Sequence, residues 1–550
     1  MLLSADALPA SPQTPLPAGT PKVRTVVPTG SLAQKATRGF AWLLIQTVAS
    51  RGVQFVSEII LAWWLLPKAF GLRSEAMTVF AFASLLQEYG VTQVLVHRHR
   101  SLAKWANPAF WLSLTIGVLG GIVIAGLAPL VARWYGAASL TGMILILAVR
   151  SPLATVASVS YAQLQADLRY KTLAIINVLV VIVTAVSGVI CAYFGLGAYS
   201  FIWPLLFGAI ARTAMFWGMA PPRVKPNLEI RRWKYLTGDS GMMLLASVLF
   251  TLTSQGDYMT LGVLYKTSDG PAPLVGTYFF GFMLCVQTTQ FITTSLANVL
   301  LPTLSKLQNE PDRLKTAFLR TTKLLAIFGV FACLLQTAVA APMVQAILHV
   351  KNDPGKWLAA VPILQVISIA MALQLFNMPA QSLIQAQGRF RTLLRLAIFC
   401  PICFFALIWL AACTGVRPTG QIRSAGLEHL LASMFGQHVD VSVMVAIAVV
   451  VYCLITGPFF LWVAIRPLRG SWRDIWPIYL WPIGTSSLAI AVGMLAGYPL
   501  PATPFGNWAR LIVVPLASVI VYAPMVRVTA PDAWADVVSR LTGLVKRRSH

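Results

Sequence analysis

A helix of 18 apolar residues, rising about 1.5 Å per residue, is nearly as long as the hydrocarbon core of a bilayer is thick, and this chain repeats such segments along most of its length. Breaks at Pro, Gly and clustered charges divide them into fourteen spans, at about residues 39–66, 74–96, 108–132, 140–162, 173–195, 198–219, 238–264, 274–300, 321–347, 358–385, 396–414, 441–465, 477–497 and 509–526. Inside lipid the backbone has no water to bond to, so spans of this kind must be helices. Composition agrees, since only 11% of the 550 residues are charged, against about 25% in soluble domains. The expectation is an all-α, polytopic membrane protein.

Residues 1–36, rich in Pro, Ala, Ser and Thr, lack the early basic patch and continuous apolar core of a signal peptide and read as a disordered tail. All seven cysteines fall within apolar runs, so no disulfide framework is implied. Cys400-x-x-Cys403 lies in a span with no His or acidic neighbour and reads as packing.

The formal charge of +25 is unevenly placed. With a cytoplasmic N-terminus, the loops on that side and the two tails hold 30 of the 42 Lys and Arg. That is the positive-inside pattern, which puts both termini in the cytoplasm. It also accounts for the basicity without nucleic acid, because no basic face interleaved with exposed aromatics remains once the topogenic loops are set aside. Contact between these loops and membrane lipid headgroups follows from the same charges.

One polar octapeptide occurs twice. QADLRYKT at 165–172 returns as QAQGRFRT at 385–392, after the fourth and the tenth span, 220 residues apart. LAPLVARWY, closing the third span, is echoed by AAPMVQAIL, closing the ninth, at an offset of 213, so a loop seven residues longer near HVKNDPGKW restores the register. A weaker echo joins FGLRSEAM to VGTYFFGF. Six spans is an even number, so the two copies keep one orientation and enclose a central cavity, as in parallel-repeat transporters. The expected organisation is a tail (1–36), an N-lobe (37–219), a linker (220–237), a C-lobe (238–465), two extra helices (466–526) and a basic tail (527–550).

No phosphate-binding G-x-x-x-x-G-K-[ST] loop, H-E-x-x-H, zinc-spaced Cys/His cluster or G-x-S-x-G occurs in the sequence. No cofactor or metal is expected, and any driving force is a gradient or the membrane potential. Charges inside spans are costly in hydrocarbon and are therefore functional candidates. Thr47, Arg51, Gln54 and Glu58 follow i, i+4, i+7, i+11 on one face of the first span. Glu88, Arg150, Arg212, Asp239 and Asp257 are the others, with Glu75 near a span end and Arg510 at an outer edge. At the 220 offset Arg150 meets Ala370, so the first half carries a cation where the second carries a methyl group. Fixed guanidinium groups lining a lumen would suit phosphate. Equally, Arg51 with Glu58 and Arg150 with Glu88 would suffice as structural pairs.

The stretches TRGFAWLLIQTVASRGVQFVSEIILAWWLLPKAFGL, LLQEYGVTQVLVHR, LAPLVARWY, AQLQADLRYKTLA, GDYMTLGVLY and VLLPTLSKLQNEPDRLKTAFLR, in that order over residues 35–395, resemble the Wzx-type polysaccharide transport proteins of the multidrug/oligosaccharidyl-lipid/polysaccharide exporter superfamily. The resemblance implies about fourteen transmembrane helices, as two six-helix lobes around a V-shaped cavity plus two C-terminal helices. It implies a flippase of the bacterial inner membrane, carrying polyprenyl-pyrophosphate-linked oligosaccharide outward for exopolysaccharide, capsule or lipopolysaccharide synthesis, coupled to H+, Na+ or the membrane potential and working beside a polysaccharide polymerase and export complex. Arg51, Arg150, Gln54 and Arg212 would then hold the substrate, and Glu58, Glu88, Asp257 and Asp239 would serve coupling. A peptidoglycan-precursor or drug exporter of the same superfamily, and a membrane polymerase or ligase, are the competing readings. The largest outer loop, 415–440, is small for a catalytic domain.

Overall fold

The computed structural model describes residues 29–87, 102–167, 169–222, 225–227, 233, 240–267, 270–307, 309–348, 353, 355–415, 440–501, 503–529 and 531. Glu88 and Asp239, and all but the ends of the 415–440 loop, lie outside them. The first half comprises α1 (Thr29–Trp64), α2 (Pro67–Gln87), α3 (Leu102–Tyr135), α4 (Ala138–Val156), α5 (Ser158–Ala166), α6 (Tyr170–Tyr193) and α7 (Trp203–Met219). The second comprises α8 (Ser240–Leu264), α9 (Pro273–Lys306), α10 (Pro311–Ile347), α11 (Ala360–Gln374), α12 (Asn377–Ala386), α13 (Phe390–Gly415) and α14 (Val441–Ile465), followed by α15 (Trp472–Gly497) and α16 (Pro504–Thr529). A two-residue hairpin, β1 (Lys266–Thr267) with β2 (Gly270–Pro271), joins α8 to α9.

Fourteen rods result, because α4 with α5 and α11 with α12 are single spans interrupted at equivalent places. In the second of these Pro379 sits in the first turn of α12 and has no N–H to return to the preceding turn, so the helix breaks one turn earlier at Leu375–Phe376. The first rod begins at Thr29, inside the stretch expected as a tail. Helix α2 begins at Pro67 rather than near residue 74, a boundary that matters below.

The octapeptide makes the same turn twice. Asp167 N bonds to Gln163 O and Arg169 N to Leu164 O, and 220 residues on Gln387 N bonds to Leu383 O and Arg389 N to Ile384 O. The second copy has a further duty: the Arg389 guanidinium donates to Val463 O at 3.0 Å and Gln387 Nε2 to Ala464 O at 3.3 Å. These are carbonyls of the last turn of α14, which has no intrahelical partner for them.

Within the first half α1 packs on α6 and α3 on α4; within the second α8 packs on α13, α11 on α14 and α10 on α11. Helices α15 and α16 lie on each other and on α10, where Tyr522 Oη donates to Ile327 O at 2.8 Å and its ring stacks on Phe331. The halves meet through α2 against α8 and α9. Ten of the rods are long and apolar enough in their described residues to cross a membrane. Helices α1, α2, α8 and α9 are not among the ten, and each carries polar side chains at the join between the halves.

At the end of the bundle where α1 finishes, called here the far end, the halves are closed on each other. Gly71 and Gly276, at matching places in the weaker sequence echo, come together where α2 crosses α9. A Cβ on Gly276 would run into the carbonyl oxygen of Pro67 and the amide of Gly71, so only glycine permits this approach. Phe70, Phe280 and Trp357 interlock around the crossing, with centroids 4.2 to 5.3 Å apart. Such pairs add about 0.5–1.5 kcal/mol each beyond their burial.

Candidate functional site

Between the halves, on the other side of that seal, lies a cavity of about 800 Å³. Its walls come from α1 and α2 of the first half and from α8, α9, α11, α12, α13 and α14 of the second. Of the sequence candidates, Arg51, Gln54 and Asp257 border it. Arg51 Nη1 donates to Gln287 Oε1 of α9 at 3.2 Å, across the join between the halves. Asp257 is fully buried in the wall, where its carboxylate accepts from Tyr278 Oη at 2.8 Å and from the amide of Tyr258 at 2.9 Å.

Glu58 does not meet Arg51. Both of its oxygens accept from Arg73, at 2.6 and 2.7 Å, and the Arg73 guanidinium also lies 4.4 Å from the centroid of the Phe201 ring. This forked pair braces α1 against α2 and leaves the Arg51 charge to the cavity. Sequence periodicity starts the second span at about residue 74 and so leaves Arg73 in a loop, whereas the helix begins at Pro67.

Arg150 and Arg212 sit elsewhere. Arg150 lies 4.5 Å over the Phe80 ring, and Arg212 lies beside Tyr161 and Phe216, so both stand inside the first half and neither borders the cavity. Glu75 is buried where α2, α3 and α8 meet, close to Gly262 and Tyr135, and neither carboxyl oxygen has a hydrogen-bond partner among the described residues. Arg510 donates to Leu500 O at the start of α16. Thr47 bonds within its own helix, to Leu43 O.

Apart from Gln54, the amides are absent from a list of candidates drawn up by charge. Gln54, Gln255, Gln290, Gln374, Asn377 and Gln381 all border the cavity, as does Gln287. Gln374 and Asn377 flank the α11–α12 break, and Gln374 is exposed although its helix is otherwise almost wholly enclosed. A broken span lining a cavity is where transporters offer polar groups at mid-membrane depth. Phe250, Phe282, Phe404, Tyr452 and Phe460 supply ring faces in the same wall.

A second cleft of about 400 Å³ shares Arg51 and Gln287 with the cavity and continues between α1, α9, α10 and α16. Its other walls are almost entirely apolar, among them Phe55, Leu284, Leu335, Val339 and Pro515. Arg51 therefore stands where a chamber of mixed amide and aromatic lining meets a greasy lateral slot.

The seal at the far end is built by the loop that breaks the repeat. Only residues 136–137 join α3 to α4, whereas residues 348–359 join α10 to α11. That longer segment carries Lys356 and Trp357, and Trp357 Nε1 and Lys356 Nζ both donate to Ala62 O at 3.0 Å, at the C-terminal turn of α1. Trp63 Nε1 returns the bond to Ile347 O at 2.8 Å. Burial lowers the Lys356 ammonium below its usual range, with Asp353 pulling the other way.

Succinoglycan biosynthesis transport protein ExoT of Rhizobium meliloti is 22% identical over 54% of this chain and 61% of its own length. Lipopolysaccharide biosynthesis protein WzxC of Escherichia coli is 24% identical over 65% of this chain and 71% of its own. Among solved structures, the lipid II flippase MurJ in an inward closed conformation superposes with a TM-score of 0.61 at 12% identity, covering 88% of this chain and 98% of that one, a likeness of fold. A family model described as polysaccharide biosynthesis protein matches residues 60–354, which include α2 to α10 with Arg73 but not its partner Glu58, the cavity wall from Ser247 to Gln290 and the start of the sealing loop. The chain is a multi-pass membrane protein of that polysaccharide biosynthesis family.

Proposed function

We propose that this protein is a flippase that carries polyprenyl-pyrophosphate-linked oligosaccharide from the cytoplasmic to the outer leaflet of a bacterial inner membrane. The observation that carries the reading is Arg51 at the junction of an amide-rich cavity and an apolar cleft. A lipid-linked sugar has those three parts in that order: glycan, pyrophosphate, polyprenyl chain. The cavity takes the glycan, the guanidinium takes a phosphate as a fixed, always charged fork, and the cleft lets the chain stay in lipid. ExoT and WzxC, whose names place them in transport and assembly of bacterial polysaccharides, support the substrate class.

Arg169, Lys171, Arg389, Arg391, Arg466 and Arg469, in or beside the turns that follow α5, α12 and α14, lie away from the seal. By the positive-inside rule that end is cytoplasmic, and with it both termini. A closed far end supports a state that loads from the cytoplasmic leaflet. Release then requires the Trp357 and Lys356 contacts to part while the cytoplasmic ends come together, an alternation of the two lobes about the α2–α9 crossing. Asp257, the acidic candidate at the cavity, is where proton or sodium coupling would act. The membrane potential acting on the substrate's own charge needs no such group.

Deleting the gene should trap the lipid-linked repeat unit in the cytoplasmic leaflet and stop export, with Arg51→Ala reproducing the block. Normal export in the deletion strain would refute the proposal. Formation of a new glycosidic bond by the purified protein would point to a polymerase instead.

A further inference from the structure

We infer that the glycan held in the cavity is uncharged: the sugars that follow the pyrophosphate are neutral hexoses or hexosamides rather than uronic or other acidic sugars. This rests on the flippase reading and narrows it. A lumen that carried an acidic repeat unit would need cations beyond the one set aside for pyrophosphate. Among the described residues bordering the cavity, Arg51 is the one cation, and it stands at the cleft rather than beside the α11–α12 break. Arg150 and Arg212, which would have made the lumen cationic, are turned into the first half.

What the cavity offers instead is carboxamide. Among the described residues, the side chains of Gln54, Gln290, Gln374 and Gln381 make no hydrogen bond, and Asn377 Oδ1 is buried without a partner. A carboxamide donates through its NH₂ and accepts through its oxygen, which matches vicinal hydroxyl and acetamido groups on a sugar. The aromatic faces of Phe404, Tyr452 and Phe460 can cover the apolar C–H faces of sugar rings in the same wall. A carboxylate would find acceptors as often as donors here, with no second cation among the described lining residues to offset its charge. Burying an unpaired carboxylate in such a chamber is costly, and a discrimination of at least about tenfold follows from about 1.4 kcal/mol of that cost.

The test uses the full chain and two polyprenyl-pyrophosphate-linked trisaccharides that differ only at C6 of one sugar, hexose against the corresponding uronate. Binding is measured in detergent by tryptophan fluorescence, and translocation in proteoliposomes by an impermeant probe of outer-leaflet sugar. The hexose compound should bind at least tenfold more tightly and move at least tenfold faster, and Gln374→Arg should narrow both gaps by favouring the uronate. Equal or tighter binding of the uronate by the natural protein would overturn the inference. If the binding preference holds while neither compound is moved, the flippase reading fails and the account of the cavity stands.

Discussion

Glu58 is a coupling candidate by sequence and a structural partner by geometry, and a double-mutant cycle separates the two roles. Both carboxylate oxygens accept from Arg73 at 2.6 and 2.7 Å, in a site where Glu58 is 5% exposed. Removing one member of a buried pair strands the other charge, at a cost of about 3–5 kcal/mol. Glu58→Leu should therefore lower stability by about that amount, since the Arg73 guanidinium would remain among Phe201 and Phe279 with no anion. Arg73→Met should cost a similar amount, adding about 0.5–2 kcal/mol for the lost ring contact. The double variant replaces the pair with apolar groups of similar volume and should lie within about 2 kcal/mol of the natural protein, giving a coupling energy of several kcal/mol. The assay is the denaturation midpoint of the purified protein in mixed micelles, read by tryptophan fluorescence. Additive effects of the two substitutions would refute the pairing. A Glu58→Leu protein that is fully stable yet has lost ion-dependent transport would return Glu58 to the coupling role.

The sealing loop makes a further prediction. Trp357→Phe keeps the ring stack but removes the bond to Ala62 O, so the closed far end should weaken by about 1 kcal/mol and a thiol at Ala69→Cys should label several-fold faster. Gly276→Ala should act in the same direction and more strongly, by about 1–3 kcal/mol of overpacking against Pro67. The two octapeptides should differ in thermal unfolding: Arg389→Ala loses a charged donor to the end of α14 and should cost about 1.5–3 kcal/mol. Arg169→Ala, on a surface turn with no such acceptor, should fall within about 0.5 kcal/mol of neutral. Arg150→Met should leave substrate affinity within about twofold, whereas Arg51→Met should raise Kd at least tenfold, both by titration with polyprenyl pyrophosphate.

Much of the fold can be read from the chain because lipid leaves so few options: an apolar run of sufficient length has to be a helix. The repeat was legible for a related reason, since QADLRYKT and QAQGRFRT encode one turn, and the turn is conformationally demanding enough to need Gly388 at φ +67° in its second copy. Even the longer loop at HVKNDPGKW was visible as an interruption of register, though not as the seal it forms. The site was harder. A cation inside a span signals cost but not direction, and helical periodicity put Arg51, Gln54 and Glu58 on one face without saying that Arg73 from the next helix would claim Glu58. Arg150 drew attention as a cation without a twin, yet its place over Phe80 follows from how α2 lies on α4, which no local pattern records. Gln54 was legible because it shares a helix face with Arg51, but the other amides are silent in sequence because uncharged polar residues are common at helix crossings; only the gap at the α11–α12 break shows that they face an open space.

The central claim is that one chain moves a whole lipid-linked sugar between leaflets, with Arg51 at the junction of its polar and apolar parts. The purified protein in liposomes, supplied with a labelled polyprenyl-pyrophosphate oligosaccharide in one leaflet, tests it directly. The natural protein should bring the label to the opposite leaflet, with the glycan unchanged in length, and Arg51→Ala should reduce the rate at least tenfold while retaining the fold. Movement that is indifferent to Arg51, or a label that never leaves its leaflet, would contradict the account.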